Sequence, residues 1–178
     1  MGKFVALLRG INVGGHARVP MAELRALAEG LGWKQVRTYI QSGNLVFEAG
    51  GKASALEAAL EESLEKAFGF VPAVIVRSAS EWTDLAAANP FPKESESEPN
   101  RVMIGLSKHR PKPGAAEEIE ARASAGERVR EAGGTVWFHY PEGAGNSKLT
   151  PSLIDRLVGS PLTARNWRTF LKLQEMLS

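Results

Sequence analysis

The chain of 178 residues contains no cysteine, two tyrosines and three histidines. The absence of cysteine excludes a thiol nucleophile, a zinc site built on thiolates and an iron–sulfur cluster. No apolar run approaches the roughly 18 residues that a membrane span requires, and the sequence does not start with a secretory leader. We therefore expect a cytoplasmic protein without a membrane partner.

Aspartate is also scarce: the chain contains two, Asp84 and Asp155. The histidines are scattered, and no spacing matches HExxH, an EF-hand or a two-metal carboxylate cluster. We therefore predict no metal and no cofactor. His16 is the histidine nearest to a candidate site, and neither Ser42 nor Ser147 has a histidine partner that would indicate a catalytic triad. Whether the protein is an enzyme is left open.

The remaining composition is that of an ordinary globular chain, with 43% hydrophobic and 24% charged residues. A net charge of +2 and a pI near 9.0 are too mild to indicate nucleic acid by themselves. The C-terminal stretch, residues 147–178, has five cationic and two anionic side chains. A negatively charged partner would be attracted to this stretch.

The first half of the chain predicts the element order βαββαβ. Residues 4–8 form an unbroken apolar run, typical of a strand covered on both faces. A helix begins near Pro20, and polar residues 41–44 are typical of a turn between two strands. The order is completed by a helix over 54–68 and a strand over 73–77. This is the split βαβ pattern of a ferredoxin-like unit.

The second half repeats this order without its last strand. Ser78 and Glu81 predict a capping box, and the proline-rich, acidic residues 89–100 predict a linker. A strand, a helix over 112–123, a hairpin across Gly133–Gly134 and a helix opening at Thr150–Pro151 follow. Thr163 fits the N-cap of a final helix. We therefore predict an α+β protein with a ferredoxin-like unit at 1–88, the linker at 89–100, and a second ferredoxin-like unit at 101–178 that lacks its final strand and ends in helices.

Four loops rich in hydrogen-bond donors lie at the ends of predicted elements, where backbone groups are unpaired. They are residues 9–15, 41–44, 142–148 and 163–168. The third is not a Walker A loop, because Ser147 rather than glycine precedes Lys148. Converging arginine, lysine and asparagine side chains would suit a phosphate or a carboxylate. The predicted ligand-binding residues are Arg9, Asn12, Gly14, Gly15, Gln41, Ser42, Asn44, Ser147, Lys148, Arg165 and Asn166.

Each loop also has a purely structural interpretation. The first is then a glycine-rich turn, the second a plain hairpin turn and the third a flexible connection with an exposed lysine. The fourth becomes a solvated basic face, on which Arg165, Arg168 and Lys172 share one side of a helix. The two interpretations differ in whether the loops meet around one pocket.

Several strings in these loops resemble a known bacterial family. They are ALLRGINVGG, VPMAELRALAEGLG, VRTYIQSGNLVFE, GNSKLTPSLIDRLVG and TARNWRTFLKL, and they span nearly the whole chain. The family they resemble is catalogued as domain of unknown function 1697. The resemblance implies an α+β architecture of ferredoxin-like units and brings no established activity, substrate or cofactor.

Three functions remain open from the sequence. The first is binding of a small anionic ligand by the four loops. The second is a nucleic-acid-binding module, in which Phe4 and Phe47 on the central strands would stack on bases. The third is an interaction protein without a ligand. We expect a monomer or a homodimer in each case.

Overall fold

Two four-stranded antiparallel sheets, each with helices, make up the fold. The computed structural model describes all 178 residues. They divide into two compact units: unit 1 comprises Met1–Trp82 and Leu173–Ser178, and unit 2 comprises Thr83–Lys172. None of the helices is long and apolar enough to cross a membrane. The α+β class predicted from the sequence is confirmed.

Unit 1 is a ferredoxin-like unit whose sheet has the strand order β2-β3-β1-β4. Strand β1 is central and pairs antiparallel with β3 on one side and with β4 on the other. Its elements are β1 (Gly2–Leu8), α1 (Met21–Gly30), β2 (Lys34–Thr38), β3 (Asn44–Ala49), α2 (Ala53–Phe68) and β4 (Val74–Ser78), after which α3 (Ala79–Ala87) begins.

The core of unit 1 takes alternate residues of β1. Phe4, Ala6 and Leu8 belong to the cluster that also contains the buried residues of α1 and α2. Phe47 of β3 stacks on Trp33 with ring centroids 4.0 Å apart, inside the same cluster. The intervening residues of β1 are buried as well. Burial on both faces explains why this strand is an unbroken apolar run.

Unit 2 has the same topology, with the strand order β6-β7-β5-β8. Its core consists of the helix-side residues of this sheet and the buried residues of two helices, α5 and α6. The elements are α4 (Pro92–Ser97), β5 (Val102–Ser107), α5 (Ala115–Glu120), β6 (Arg128–Ala132), β7 (Thr135–His139), α6 (Pro151–Val158) and β8 (Leu162–Asn166). The last helix, α7 (Trp167–Met176), begins in unit 2 and its final residues belong to unit 1.

The prediction that the second unit lacks its final strand is wrong, because β8 pairs with β5 along its whole length. Thr163 is a strand residue, and the N-cap role belongs to Asn166, whose Oδ1 accepts from Thr169 N at 2.8 Å. Within β8, Leu162 and Ala164 pack in the core while Arg165 lies opposite Ile104 on the other face. The alternation of apolar and polar residues over 162–165 is at the lower limit of length for recognising a strand from the sequence.

The segment at residues 89–100, predicted as a linker, contains α4 and lies within unit 2. Phe91 and Ser95 are buried, and Asn89 Nδ2 donates to Ser95 Oγ at 2.7 Å. The helix predicted over 112–123 is shorter in the structure, because Gly114 has a φ of +80° and α5 begins after it. The capping box is present: Ser78 N donates to Glu81 Oε2 and Glu81 N to Ser78 Oγ.

Carboxylates of α2 accept hydrogen bonds from main-chain N–H groups on the outer edge of β4. Val76 N donates to Glu57 Oε2 at 2.8 Å, and Val74 N donates to Glu61 Oε2 at 3.3 Å. Arg77 Nη1 donates to the carbonyl oxygen of Val76 at 3.0 Å. The carboxylates therefore satisfy main-chain groups that β4, as an outer strand, cannot pair with a neighbouring strand.

Both outer strands of unit 2 are closed in the same way. On β8, Leu162 N donates to Asp155 Oδ1 of α6 at 2.9 Å. On β6, Val129 N donates to Glu120 Oε1 of α5 at 3.3 Å, and Arg130 Nη1 lies 2.8 Å from the same oxygen. Strand β2, the remaining outer strand, has a register shift between Lys34 and Arg37. Irregular or covered edges prevent pairing with another chain.

Replacement of Glu57 by leucine should destabilise the fold, because it leaves the Val76 N–H buried without an acceptor. We expect the free energy of unfolding in urea to fall by about 1–3 kcal/mol. The matched control is Glu62→Leu on the same helix, where the carboxylate is exposed and pairs with Lys66. That control should change stability by less than about 0.5 kcal/mol, and equal effects of the two substitutions would contradict the role of Glu57.

Candidate functional site

Two polar loops of unit 1 meet at the end of the sheet where β1 stops. We call residues 9–20 and 39–44 the glycine corner. Leu8 N donates to the Gly43 carbonyl at 3.0 Å, and Asn12 Nδ2 donates to the Gln41 carbonyl at 2.8 Å. Seven of the predicted ligand-binding residues therefore belong to one local structure: Arg9, Asn12, Gly14, Gly15, Gln41, Ser42 and Asn44.

The first loop ends in a tight hairpin. Asn12 N donates to the Ala17 carbonyl and His16 N to the Val13 carbonyl, both at 3.0 Å. Gly14 and Gly15 form the turn with φ values of 58° and 77°. Both central positions of this turn type need a positive φ, which glycine adopts without strain. The turn geometry therefore explains why two glycines occur here. Both are exposed, so the main chain at the tip of the hairpin is exposed as well.

Asn12 is the brace of the corner. Besides the bond to Gln41, its Nδ2 donates to the Val19 carbonyl at 3.0 Å and its Oδ1 accepts from Val19 N at 2.8 Å. Its own φ is 55°, a conformation that asparagine tolerates better than most residues. The side-chain amide is thus used to hold the two loops together, and its donors point at the protein.

The second loop is held by close packing at Gly43. This glycine has a φ of +90°, and a Cβ placed on it would lie 2.7 Å from Ile11 Cδ1. Asn44 is fully buried, and its Nδ2 donates to the Tyr39 carbonyl at 2.8 Å and to Ser42 Oγ at 3.0 Å. Gly43 and Asn44 therefore shape the corner from inside.

The surface of the corner is positively charged and rich in main-chain donors. Gly10, Gly14, Gly15, Gln41 and Arg18 are exposed, and Arg9 is half-buried. Neither loop contains an aspartate or a glutamate. The adjoining helix α1 has Pro20 as its N-cap, without a side-chain hydrogen bond to its first N–H groups. Sequence reasoning missed Arg18 as a candidate, although it stands two residues before the N-cap Pro20.

The third loop is tied to a buried carboxylate of unit 2. Ser147 Oγ donates to Glu127 Oε2 at 2.7 Å and accepts from Leu149 N at 3.1 Å, while Lys148 is exposed. Burial acts to raise the pKa of Glu127, but the bonds from Ser147 and from backbone N–H groups, including Ala125 N, outweigh it and lower the pKa. No motif in the sequence indicated this role for Glu127.

The fourth loop differs from its prediction. Arg165 is 7% exposed in β8, and its Nη1 donates to Thr163 Oγ1 at 2.7 Å. Burial lowers the pKa of Arg165 to about 10, so it stays charged at neutral pH. Arg165 therefore does not share a helix face with Arg168 and Lys172, because α7 begins after Asn166. Arg165 is therefore a buried strand residue and not part of a solvated basic helix face.

The aromatic residues considered for base stacking face the core. Phe4 is 8% exposed and Phe47 1% exposed, and both belong to the cluster on the helix side of the sheet. They are therefore not available as the stacking platform that RNA-binding ferredoxin-like sheets use. No group of three or more histidine, aspartate or glutamate side chains is placed to hold a metal ion.

Comparison with known proteins gives a family and a fold. The family model described as "Protein of unknown function (DUF1697)" matches residues 1–137. A solved structure described as a conserved bacterial protein from Streptococcus pneumoniae is similar with a TM-score of 0.77 and 23% sequence identity, over 99% of each chain. At that identity the likeness supports the fold. No curated protein matches this chain.

Replacement of Asn12 by aspartate should loosen the corner, because a carboxylate cannot donate to the carbonyls of Val19 and Gln41. We expect a loss of about 1–3 kcal/mol in the free energy of unfolding. Amide hydrogen exchange over both loops should become faster. Asn146→Asp is the control, since that side chain makes one exposed bond, to the Glu142 carbonyl. Unchanged exchange in the Asn12 variant would contradict the bracing role.

The stability contributed by Glu127 should depend on pH. Its folded-state pKa lies below the ordinary value of 4.5, so the contribution is present above pH 4.5 and is lost as the pH falls through the lowered pKa. Glu127→Gln should therefore be less stable than the wild type at pH 7, and the difference should shrink below pH 4.5. Urea unfolding at several pH values measures this, with the exposed Glu131→Gln as control. A difference that is constant with pH would contradict it.

Proposed function

Since the chain belongs to the DUF1697 family of proteins of unknown function, we propose from the geometry of the glycine corner that unit 1 binds a small anionic ligand, one that carries a phosphate or a carboxylate. The observation that supports this most is the junction of a glycine-rich loop with a second loop, neither of which contains an acidic residue, made by the bond from Asn12 to Gln41. Such a junction combines main-chain donors with fixed positive charge.

Each part of the corner has a separate role in this proposal. The exposed main chain at Gly10, Gly14 and Gly15 provides N–H donors, as backbone turns do in many anion sites. The uncapped first turn of α1 adds donors and the positive end of the helix dipole. Arg9 and Arg18 supply charge, while Asn12, Gly43 and Asn44 keep the loops in place.

The other predicted residues are assigned differently. Gln41 and Ser42 border the exposed side of the corner and remain candidates for direct contact. Ser147 and Asn166 bind Glu127 and the first turn of α7, so we assign them to the fold of unit 2. Lys148 is exposed in a glycine-containing loop and stays a separate candidate for an anion contact.

Titration with inorganic phosphate, followed by the amide chemical shifts of the whole protein, tests the proposal. We expect the amides of Gly10, Gly14 and Gly15, and that of Ala22 in the first turn of α1, to shift together and to saturate with one dissociation constant. Arg18→Gln should weaken binding by at least about tenfold, because one charge-assisted hydrogen bond is worth about 1.5–3 kcal/mol.

The matched control is Arg122→Gln, the same charge change at an exposed residue of unit 2 that donates to the Glu118 carbonyl. It should bind phosphate like the wild type. Shifts spread over all basic residues without saturation would show general ion screening and would refute the site. An equal loss in both variants would refute it as well.

A further inference from the structure

Exposed apolar side chains are concentrated at the loop end of unit 1. The chain has five large hydrophobic residues that are well exposed, and Val13, Ile40 and Val71 are three of them. Val13 is 63% exposed at the hairpin tip, and Ile40 is 48% exposed in the turn before Gln41. Arg9 N donates to the Ala73 carbonyl, so the loop that carries Val71 adjoins the same end of the sheet.

The hydrogen bond between Asn12 and Gln41 brings together the two chain segments that carry Val13 and Ile40. Val13 follows Asn12 in the chain and Ile40 precedes Gln41, and the Asn12 Nδ2 to Gln41 carbonyl distance is 2.8 Å. Ile40 also has a φ of 51°, which is rare for a β-branched residue. This conformation places a large apolar side chain on the surface, where packing in the core does not hold it.

The two loops of the glycine corner carry positive charge and no acidic residue, and the first turn of the adjoining helix α1 carries one, Glu23. Arg18 is exposed and Arg9 is half-buried in the same loop as Val13. A matching ligand therefore has an anionic part and an apolar part. Two side chains at loop tips offer far less than the roughly 800 Å² that each partner buries in a stable protein–protein interface. The apolar part of a matching ligand is therefore of small-molecule size.

We propose that the ligand of the glycine corner is an amphipathic anion, in which a phosphate or carboxylate is joined to an aromatic ring. The ring lies against Val13 and Ile40, and the anionic group is held by the arginines and by the main chain of the loops. This inference rests on the proposed function and specifies the chemical class of its ligand.

Three probes separate the contributions: inorganic phosphate, glycerol 1-phosphate and phenyl phosphate, each titrated by calorimetry into the full chain. We expect phenyl phosphate to bind at least about tenfold more tightly than the other two. Tenfold corresponds to about 1.4 kcal/mol, the amount gained by burying about 55 Å² of apolar surface. Two side chains can provide this area.

Substitution of the apolar side chains completes the test. In Val13→Ser and Ile40→Asn, the ratio of the affinity for phenyl phosphate to the affinity for inorganic phosphate should fall to less than about threefold. Both positions are exposed, and asparagine tolerates the positive φ at residue 40. Leu171→Ser, which removes an exposed apolar side chain from unit 2, should retain the full advantage.

The outcomes distinguish this inference from the function on which it rests. If inorganic phosphate binds at the corner and phenyl phosphate binds no better, the aromatic class is refuted and anion binding stands. If phenyl phosphate binds better but Val13→Ser and Ile40→Asn keep the advantage, the assigned contacts are refuted. If none of the three probes binds, the proposed function itself is refuted.

Discussion

Hydrogen bonds from outer-strand N–H groups to helix carboxylates are the constraint on which both units depend. A four-stranded sheet has two outer strands, and each of them presents main-chain groups that no neighbouring strand can pair. Here Glu57, Glu120 and Asp155 accept from Val76, Val129 and Leu162. These bonds also attach each helix to the strand that it covers. They act together with the apolar packing of α2, α5 and α6 against the two sheets.

The two units also place an arginine and a helix-capping residue at equivalent positions of β4 and β8. Val5 of β1 pairs with Arg77 of β4, and Ile104 of β5 pairs with Arg165 of β8. Both arginines donate to the carbonyl of the residue before them, and both are followed by a residue that caps a helix. The repeat is therefore one of geometry and hydrogen bonding, although the two halves share little sequence.

In the candidate site, the side-chain amides that could bind a ligand are used to hold the fold together. Asn12 and Asn44 were predicted as ligand donors because amide side chains suit that role. In the structure their amides bind carbonyls of the corner itself. What this leaves at the surface is main chain, arginine and two apolar side chains. In the function that we propose, Asn12 and Asn44 contribute by holding these groups in position.

Local patterns in the sequence determined the features that neighbouring residues decide. The unbroken apolar run of β1, the capping box at Ser78 and Glu81, the start of α6 at Thr150 and the Gly133–Gly134 turn were all predictable, since each involves residues a few positions apart. Only the tertiary structure decided that residues 162–166 form β8 and that the loop after β1 meets residues 39–44. Both depend on a partner far away in the chain: β5 for the strand, and Gln41 and Gly43 for the loop. No short-range pattern records such a partner, because strand pairing and loop contact are selected by the packing of the whole sheet.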